Sequence, residues 1–274
     1  VSEATTAAPA SRRPAKHGTL ATLGKGVLGL VGTFTDIYSV FIRTLYYCVR
    51  GRREPGAIAY YMHEIGNKSL FFLTVVMGFI GMIMAYQAGM QTLRVLPDLS
   101  MLGPTYLELL IRDLAASIGG LMLATRVGAG IAAEIGSMVV TEQIDALRMS
   151  AADPIDYLIK PRFIASVVMT TCLIVWSAMV AALAGMLTAY AMFDLNPITF
   201  LNLTLVDEVD VGTGLAKCVA YGAAIPIVSG QAGLATFGGS EGVGSATTSA
   251  VVNSSLAVII LNLIISAASF MMFG

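Results

Sequence analysis

The sequence predicts an all-α polytopic membrane protein. It carries an N-terminal interfacial amphipathic helix, about five transmembrane helices, and a short cytosolic helix between the second and third of these. Three observations predict this. Hydrophobic residues make up 56% of the 274 positions and charged residues only 12%, against about a quarter charged in soluble domains. The apolar residues gather into runs long enough to cross a hydrocarbon core at ~1.5 Å per residue. Lys and Arg concentrate in alternate connections, as the orientation rule for membrane proteins requires.

Each segment follows in order. Residues 1–17 are rich in Ala, Ser, Thr, Pro and Arg and hold no apolar stretch, so they read as a disordered cytosolic tail and not as a secretory signal. Residues 18–56 read as the interfacial helix. Leu20, Leu23, Val27, Leu30, Phe34, Ile37, Phe41 and Leu45 recur at three-four spacing, with Lys25, Asp36 and Arg43 between them. Arg50, Arg52 and Arg53 close the helix with charge suited to anionic headgroups, and Glu54-Pro55-Gly56 breaks it.

Residues 57–274 form the membrane domain. The first apolar run, residues 69–88, has no charge, and Gly78, Gly81 and Ala85 give it small residues for close helix contact. A loop at residues 94–98 leads to a second helix over residues 105–125, with Glu108, Arg112 and Asp113 in its first half. A third run covers residues 163–193 and stops at Asp194 to Pro197. Residues 198–214, with Asp207, Glu208 and Asp210, are expected outside the membrane. The fourth run covers residues 215–237 with a kink expected at Pro226, and the last covers residues 251–273 after a Gly-rich turn.

Lys and Arg lie on the N-terminal side and between the second and third spans (Arg126, Arg148, Lys160, Arg162), while the opposite side offers Arg94 and Lys217. The N-terminus is therefore expected in the cytoplasm and the C-terminus outside.

Catalytic and metal motifs are lacking. Gly18 and Gly24 have the wrong spacing for a phosphate loop, and Gly26 follows Lys25 where Ser or Thr is needed. His63-Glu64 has Asn67 where a second His would complete a zinc motif, and only His17 and His63 exist. Cys48, Cys172 and Cys218 are too scattered for a zinc site or disulfide framework. No basic patch suited to nucleic acid follows the N-terminal region. The chain is expected to be no enzyme and to hold no cofactor of its own.

Two constellations remain. Residues 124–148 join two spans on the basic side. Gly128, Gly130 and Gly136 permit turns and close approach. Met138, Ile144 and Leu147 form an apolar stripe beside polar Thr141, Glu142, Gln143 and Asp145. Such a helix could seat its stripe in a partner's groove, or be a plain structural loop. Within the second span, Glu108 and Arg112 are four apart and are expected to pair, and Asp113 needs a partner elsewhere, such as a second copy. Intramembrane charge is costly and points to function, with helix packing as the alternative. Gln87 and Gln91, four apart near the outer end of the first span, are expected either to meet lipid headgroups or to hydrogen-bond a neighbouring helix.

Arg126-Val-Gly-Ala-Gly-Ile-Ala-Ala-Glu134, Thr141-Glu-Gln-Ile-Asp-Ala-Leu147, Asp153-Pro154, Pro161-Arg162 and Ala246-Thr-Thr-Ser-Ala-Val-Val-Asn-Ser-Ser-Leu256 resemble the signature of the MlaE/YrbE permease family. The resemblance covers residues 60–274. It implies a permease homodimer in the bacterial inner membrane, an ABC ATPase dimer that binds ATP and Mg, and an MCE-domain ring in the periplasm. The implied work is phospholipid traffic between inner and outer membranes. By this resemblance Glu134, Met138, Thr141, Glu142, Gln143, Asp145 and Leu147 belong to a coupling helix for the ATPase. The resemblance also implies that Arg112 and Asp113 lie by a lipid cavity, and Glu108, Gln87 and Gln91 are further candidates to meet the lipid. The alternatives from other classes are an ion-coupled secondary transporter, for which Asp113 is the one plausible carrier, and a membrane scaffold.

Overall fold

The computed structural model describes residues 19–51, 55–95 and 99–273. The predicted tail, residues 1–17, and the cations Arg52 and Arg53 lie outside the described residues. Among those described there are eight helices and no strands. They are α1 (Thr19–Arg50), α2 (Pro55–Val95), α3 (Leu102–Val140), α4 (Gln143–Met149), α5 (Ile155–Phe193), α6 (Pro197–Phe200), α7 (Glu208–Leu234) and α8 (Gly239–Phe273). Helices α2, α3, α5, α7 and α8 are long and apolar enough to cross a membrane. The protein is an all-α, multi-pass membrane protein.

The helices are longer than the apolar runs. Helices α3 and α5 have 39 residues each, about 58 Å, against a core of about 30 Å. Pro55 begins α2 where a break was expected, because a first-turn proline loses no helical hydrogen bond. The second span does not end near residue 125 but continues to Val140, so Gly128, Gly130 and Gly136 lie inside a helix and make no turns. Residues 208–214, expected as helix or loop, are helical and open α7, where the Asp207 and Asp210 side chains form a capping box.

Three wide π turns interrupt the spans: Leu110–Leu114 and Ala124–Gly128 in α3, and Ile155–Ile159 at the start of α5. Each holds charge: Arg112 and Asp113, Arg126, and Asp156 respectively. Such turns displace the residues after them relative to the regular helical register.

Packing follows from small residues. Helices α2 and α5 run parallel, with Gly66 against Met169, Gly81 against Ala181 and Gly89 against Phe193. A β-carbon at Gly81 would sit 2.4 Å from the Ala181 carbonyl oxygen, so the two backbones touch. Tyr106 closes this seam by donating to that oxygen at 3.1 Å. Helices α3 and α7 also run parallel, with Gly120 against Tyr221 and Gly136 against Thr236. Helix α8 crosses both, and Ser254 meets Ser229 at 3.0 Å above Gly128. Helix α1 turns Val40 and Thr44 inward and leaves Phe34, Tyr38, Phe41 and Leu45 exposed on another face, as a helix in a membrane interface requires.

The end of the bundle that carries Arg50, Arg148, Lys160 and Arg162, most of them paired with carboxylates, is called the basic end; the other, with Asp194, Asp207, Glu208 and Asp210, is called the acidic end.

Candidate functional site

The charges in the acidic half of the bundle make two parallel ion pairs between α3 and α7. Arg112 Nη1 lies 3.4 Å from Asp210 Oδ1, and Lys217 Nζ lies 2.5 Å from Asp113 Oδ1. Lys217 also donates to the Arg112 carbonyl at 3.2 Å, and Ser117 donates to Asp113 at 3.1 Å. Asn262 of α8 approaches the same carboxylate, with its own Oδ1 buried and unpartnered. Asp210 is further fixed by accepting the Asp207 N–H at 3.1 Å.

This corrects two expectations. Arg112 pairs with Asp210 and not with Glu108, because a π turn begins between the two and α7 supplies a carboxylate. Asp113 finds Lys217 within its own chain. Asp210 and Lys217 were missed as site residues because residues 198–214 read as an extramembrane helix or loop and the fourth span was begun only at Leu215. The signal was present: Asp207, Asp210, Gly214, Lys217 and Tyr221 recur at helical spacing.

The pairs are asymmetric. The side chains on α7 are closed off, with Lys217 1% and Asp210 6% exposed, whereas Arg112 and Asp113 on α3 are 41% and 40% exposed. The fixed counter-charges therefore sit on α7, and α3 presents a cation and an anion side by side. Beside them is an apolar chamber of about 530 Å³ between α3, α5 and α7, walled by Leu107, Ile111, Ile174, Met179 and Leu215. Ile111 and Val211, the chain neighbours of Arg112 and Asp210, both line it. No charged side chain lines the chamber itself, whose walls are apolar throughout. Gln87 and Gln91 are exposed on α2, away from the chamber wall, and Glu108 is half-buried one turn before Arg112.

At the basic end, Thr141 and Glu142 turn the chain from α3 into α4, with Glu142 left-handed at φ 60°. The apolar stripe is turned inward: Ile144 is 3% exposed, and Met138 and Leu147 pack against the core. The bundle itself thus covers Ile144, while Met138 and Leu147 stay partly exposed. Thr141, Glu142, Gln143 and Asp145 are exposed, with the unforeseen Met149 the most exposed apolar residue nearby. Glu134, on the last turns of α3, forms an ion pair with Arg162 at 2.7 Å. Arg162 is fully buried, donates to the Leu158 carbonyl at 2.7 Å, and stacks 4.3 Å from the Tyr61 ring centre. Arg126 donates to Ser69 at 2.7 Å. Arg126, Glu134 and Arg162 at this end thus join α2, α3 and α5, while the polar residues of the α3–α4 corner face outward.

Comparison with known proteins agrees with this architecture. The permease MlaE family profile matches residues 58–268. The chain is 39% identical over 204 residues to a probable ABC transporter permease protein of Rickettsia felis, covering 74% of this chain and 78% of the relative. It is 36% identical over 239 residues to a probable ABC transporter permease protein of Synechocystis, covering 86% and 89%. It is 34% identical over 211 residues to the chloroplastic protein trigalactosyldiacylglycerol 1 of Arabidopsis thaliana, covering 76% of this chain and 60% of the relative. The match spans all five membrane-crossing helices, and this chain belongs to the MlaE permease family of ABC transporter membrane subunits.

Proposed function

We propose that the chain moves phospholipid, as a homodimer driven by a separate ABC ATPase dimer that binds ATP and Mg and coupled to a periplasmic MCE-domain ring. Its place is the bacterial inner membrane, with the N-terminus cytoplasmic and the C-terminus periplasmic. The observation that supports the cargo class is an apolar chamber next to the turn of α3 that carries the partly exposed Arg112 and Asp113. Arg112, still 41% exposed beside Asp210, offers a cation to a phosphate, while the apolar walls take acyl chain. The lipid name borne by the Arabidopsis relative points the same way. The outward polar residues Thr141, Glu142, Gln143 and Asp145 are the proposed ATPase contact, with Met149 beside them. Glu134, Met138 and Leu147 support that corner from within.

An ion-coupled carrier needs a carboxylate free to exchange its proton, and Asp113 is committed to Lys217. The test is mild-detergent purification from the native membrane, with mass spectrometry of co-purifying proteins and lipids. An ATPase, an MCE-domain protein and bound phospholipid in fixed ratio are expected. Arg112→Ala should keep the partners and lose most of the lipid. A chain that carries no ATPase and no lipid would sink the proposal, and loss of partners and lipid together would make Arg112 a packing residue.

A further inference from the structure

We propose that α3, α7 and α8 enclose one ordered water molecule, held by the Tyr221 hydroxyl and the Asn262 side-chain carbonyl beside the Asp113–Lys217 pair. The site stands whatever the chain transports.

The register between α7 and α8 brings the two residues together. Two direct polar bridges fix that register: the Thr213 and Ser269 hydroxyls lie 2.8 Å apart, and those of Ser229 and Ser254 3.0 Å apart. Tyr221 stands eight residues from both Thr213 and Ser229, and Asn262 eight from Ser254 and seven from Ser269. Tyr221 and Asn262 therefore face each other midway between the bridges. Helix α3 closes the third side. A β-carbon at Gly120 would lie 2.6 Å from Tyr221 Cδ2 and 3.3 Å from Val258 Cγ1, so the ring is pinned where the three helices meet. Asn262, one turn beyond Val258 on α8, approaches the Asp113 carboxylate, and the Tyr221 hydroxyl points toward Ser117 without closing a hydrogen bond to it.

Both groups are left over. Tyr221 is 0% exposed, and its hydroxyl and the Asn262 Oδ1 are buried with no hydrogen-bond partner among the described residues. Each such atom is costly where no bulk water reaches it. Their needs are complementary: the hydroxyl has a proton to give, and the carbonyl needs one. A water accepts from Tyr221 and donates to Asn262. Ser117 spends its own proton on Asp113 at 3.1 Å and keeps lone pairs for the water's second proton. A cation could serve the carbonyl but not the hydroxyl proton, and the buried Lys217 ammonium already stands on Asp113 at 2.5 Å. Bridged in this way, α8 is joined to the ion pair nearly as firmly as by a direct hydrogen bond.

Two measurements on the full-length chain in detergent test the site. Unfolding in dodecyl sulfate mixed micelles reads the sign of Tyr221→Phe. A bridged hydroxyl makes the folded-to-unfolded ratio fall about fivefold, whereas loss of an unpaired one raises it. Radiolytic oxidation after rapid mixing with heavy-oxygen water reads the water itself. Tyr221 should be oxidised despite its burial and should keep light oxygen longer than Tyr60, which is 61% exposed. Asn262→Leu should remove that label. A ratio that rises or stays level in Tyr221→Phe overturns the proposal. So does a fall with no label at Tyr221, which means direct contact between the side chains, or a label that takes up heavy oxygen as fast as Tyr60 or survives Asn262→Leu.

Discussion

Breaking the Asp113–Lys217 pair from its two sides should give unequal losses. Asp113→Ala leaves the Lys217 ammonium, 1% exposed, without its carboxylate. Removing one member of a fully buried pair costs about 3–5 kcal/mol. Asp113 is itself 40% exposed, so water already screens part of the interaction, and about 2 kcal/mol is the better figure. That is roughly a 30-fold change in the folded ratio. Lys217→Met removes the buried charge and fills its space, leaving a carboxylate that can hydrate, so its cost should stay below about 1 kcal/mol. The double variant should match Lys217→Met, not the sum of the two. The assay is unfolding of the purified chain in mixed micelles of rising dodecyl sulfate content, read from the single tryptophan, Trp176, whose indole N–H donates to Thr74 across the α2–α5 seam at 3.0 Å. Equal losses for both single variants, or a loss under about 0.5 kcal/mol for Asp113→Ala, would refute the assignment of the buried member to Lys217.

Three further predictions use the same unfolding assay. Gly81→Leu should cost about 3 kcal/mol, because its β-carbon meets the Ala181 backbone, which cannot rotate aside; Gly130→Ala, with open space at the β-carbon, should be neutral or stabilising by up to about 1 kcal/mol. Ala151→Gly should stabilise by about 1 kcal/mol, since Ala151 is held at φ 59° in the left-handed region. Tyr47→Phe should cost about 1 kcal/mol at pH 7. The Tyr47 hydroxyl is held above its ordinary value of 10.0, first because it donates to the Asp153 carboxylate and then because of burial. A raised value favours the neutral form in the fold, so this contribution is complete below pH 10 and is lost as pH climbs through the raised value. Wild type and Tyr47→Phe should differ equally at pH 7 and pH 9 and converge only in stronger alkali.

Much of the architecture was legible in the sequence by itself. Residues 69–88 and 251–273 are long uncharged runs, and no arrangement other than a membrane-crossing helix satisfies their backbone in lipid. The alternation in residues 20–45 made α1 amphipathic, and the block from Arg126 to Leu147 carried the family. These are local properties: hydropathy and helical period are sums over neighbours in the chain. The partners of the charges are not local. Asp113 and Lys217 are 104 residues apart, and their meeting depends on how α3 and α7 align, which the π turn at Leu110–Leu114 sets. For the same reason Ile144 read as part of a stripe offered to a partner, whereas the corner at Glu142 turns it onto the chain's own core. The sequence determined which segments enter the membrane, because transfer into lipid depends on each segment's own composition. Only the tertiary structure decided which charges are neutralised and which remain open to a ligand, because that depends on the register between helices distant in the chain.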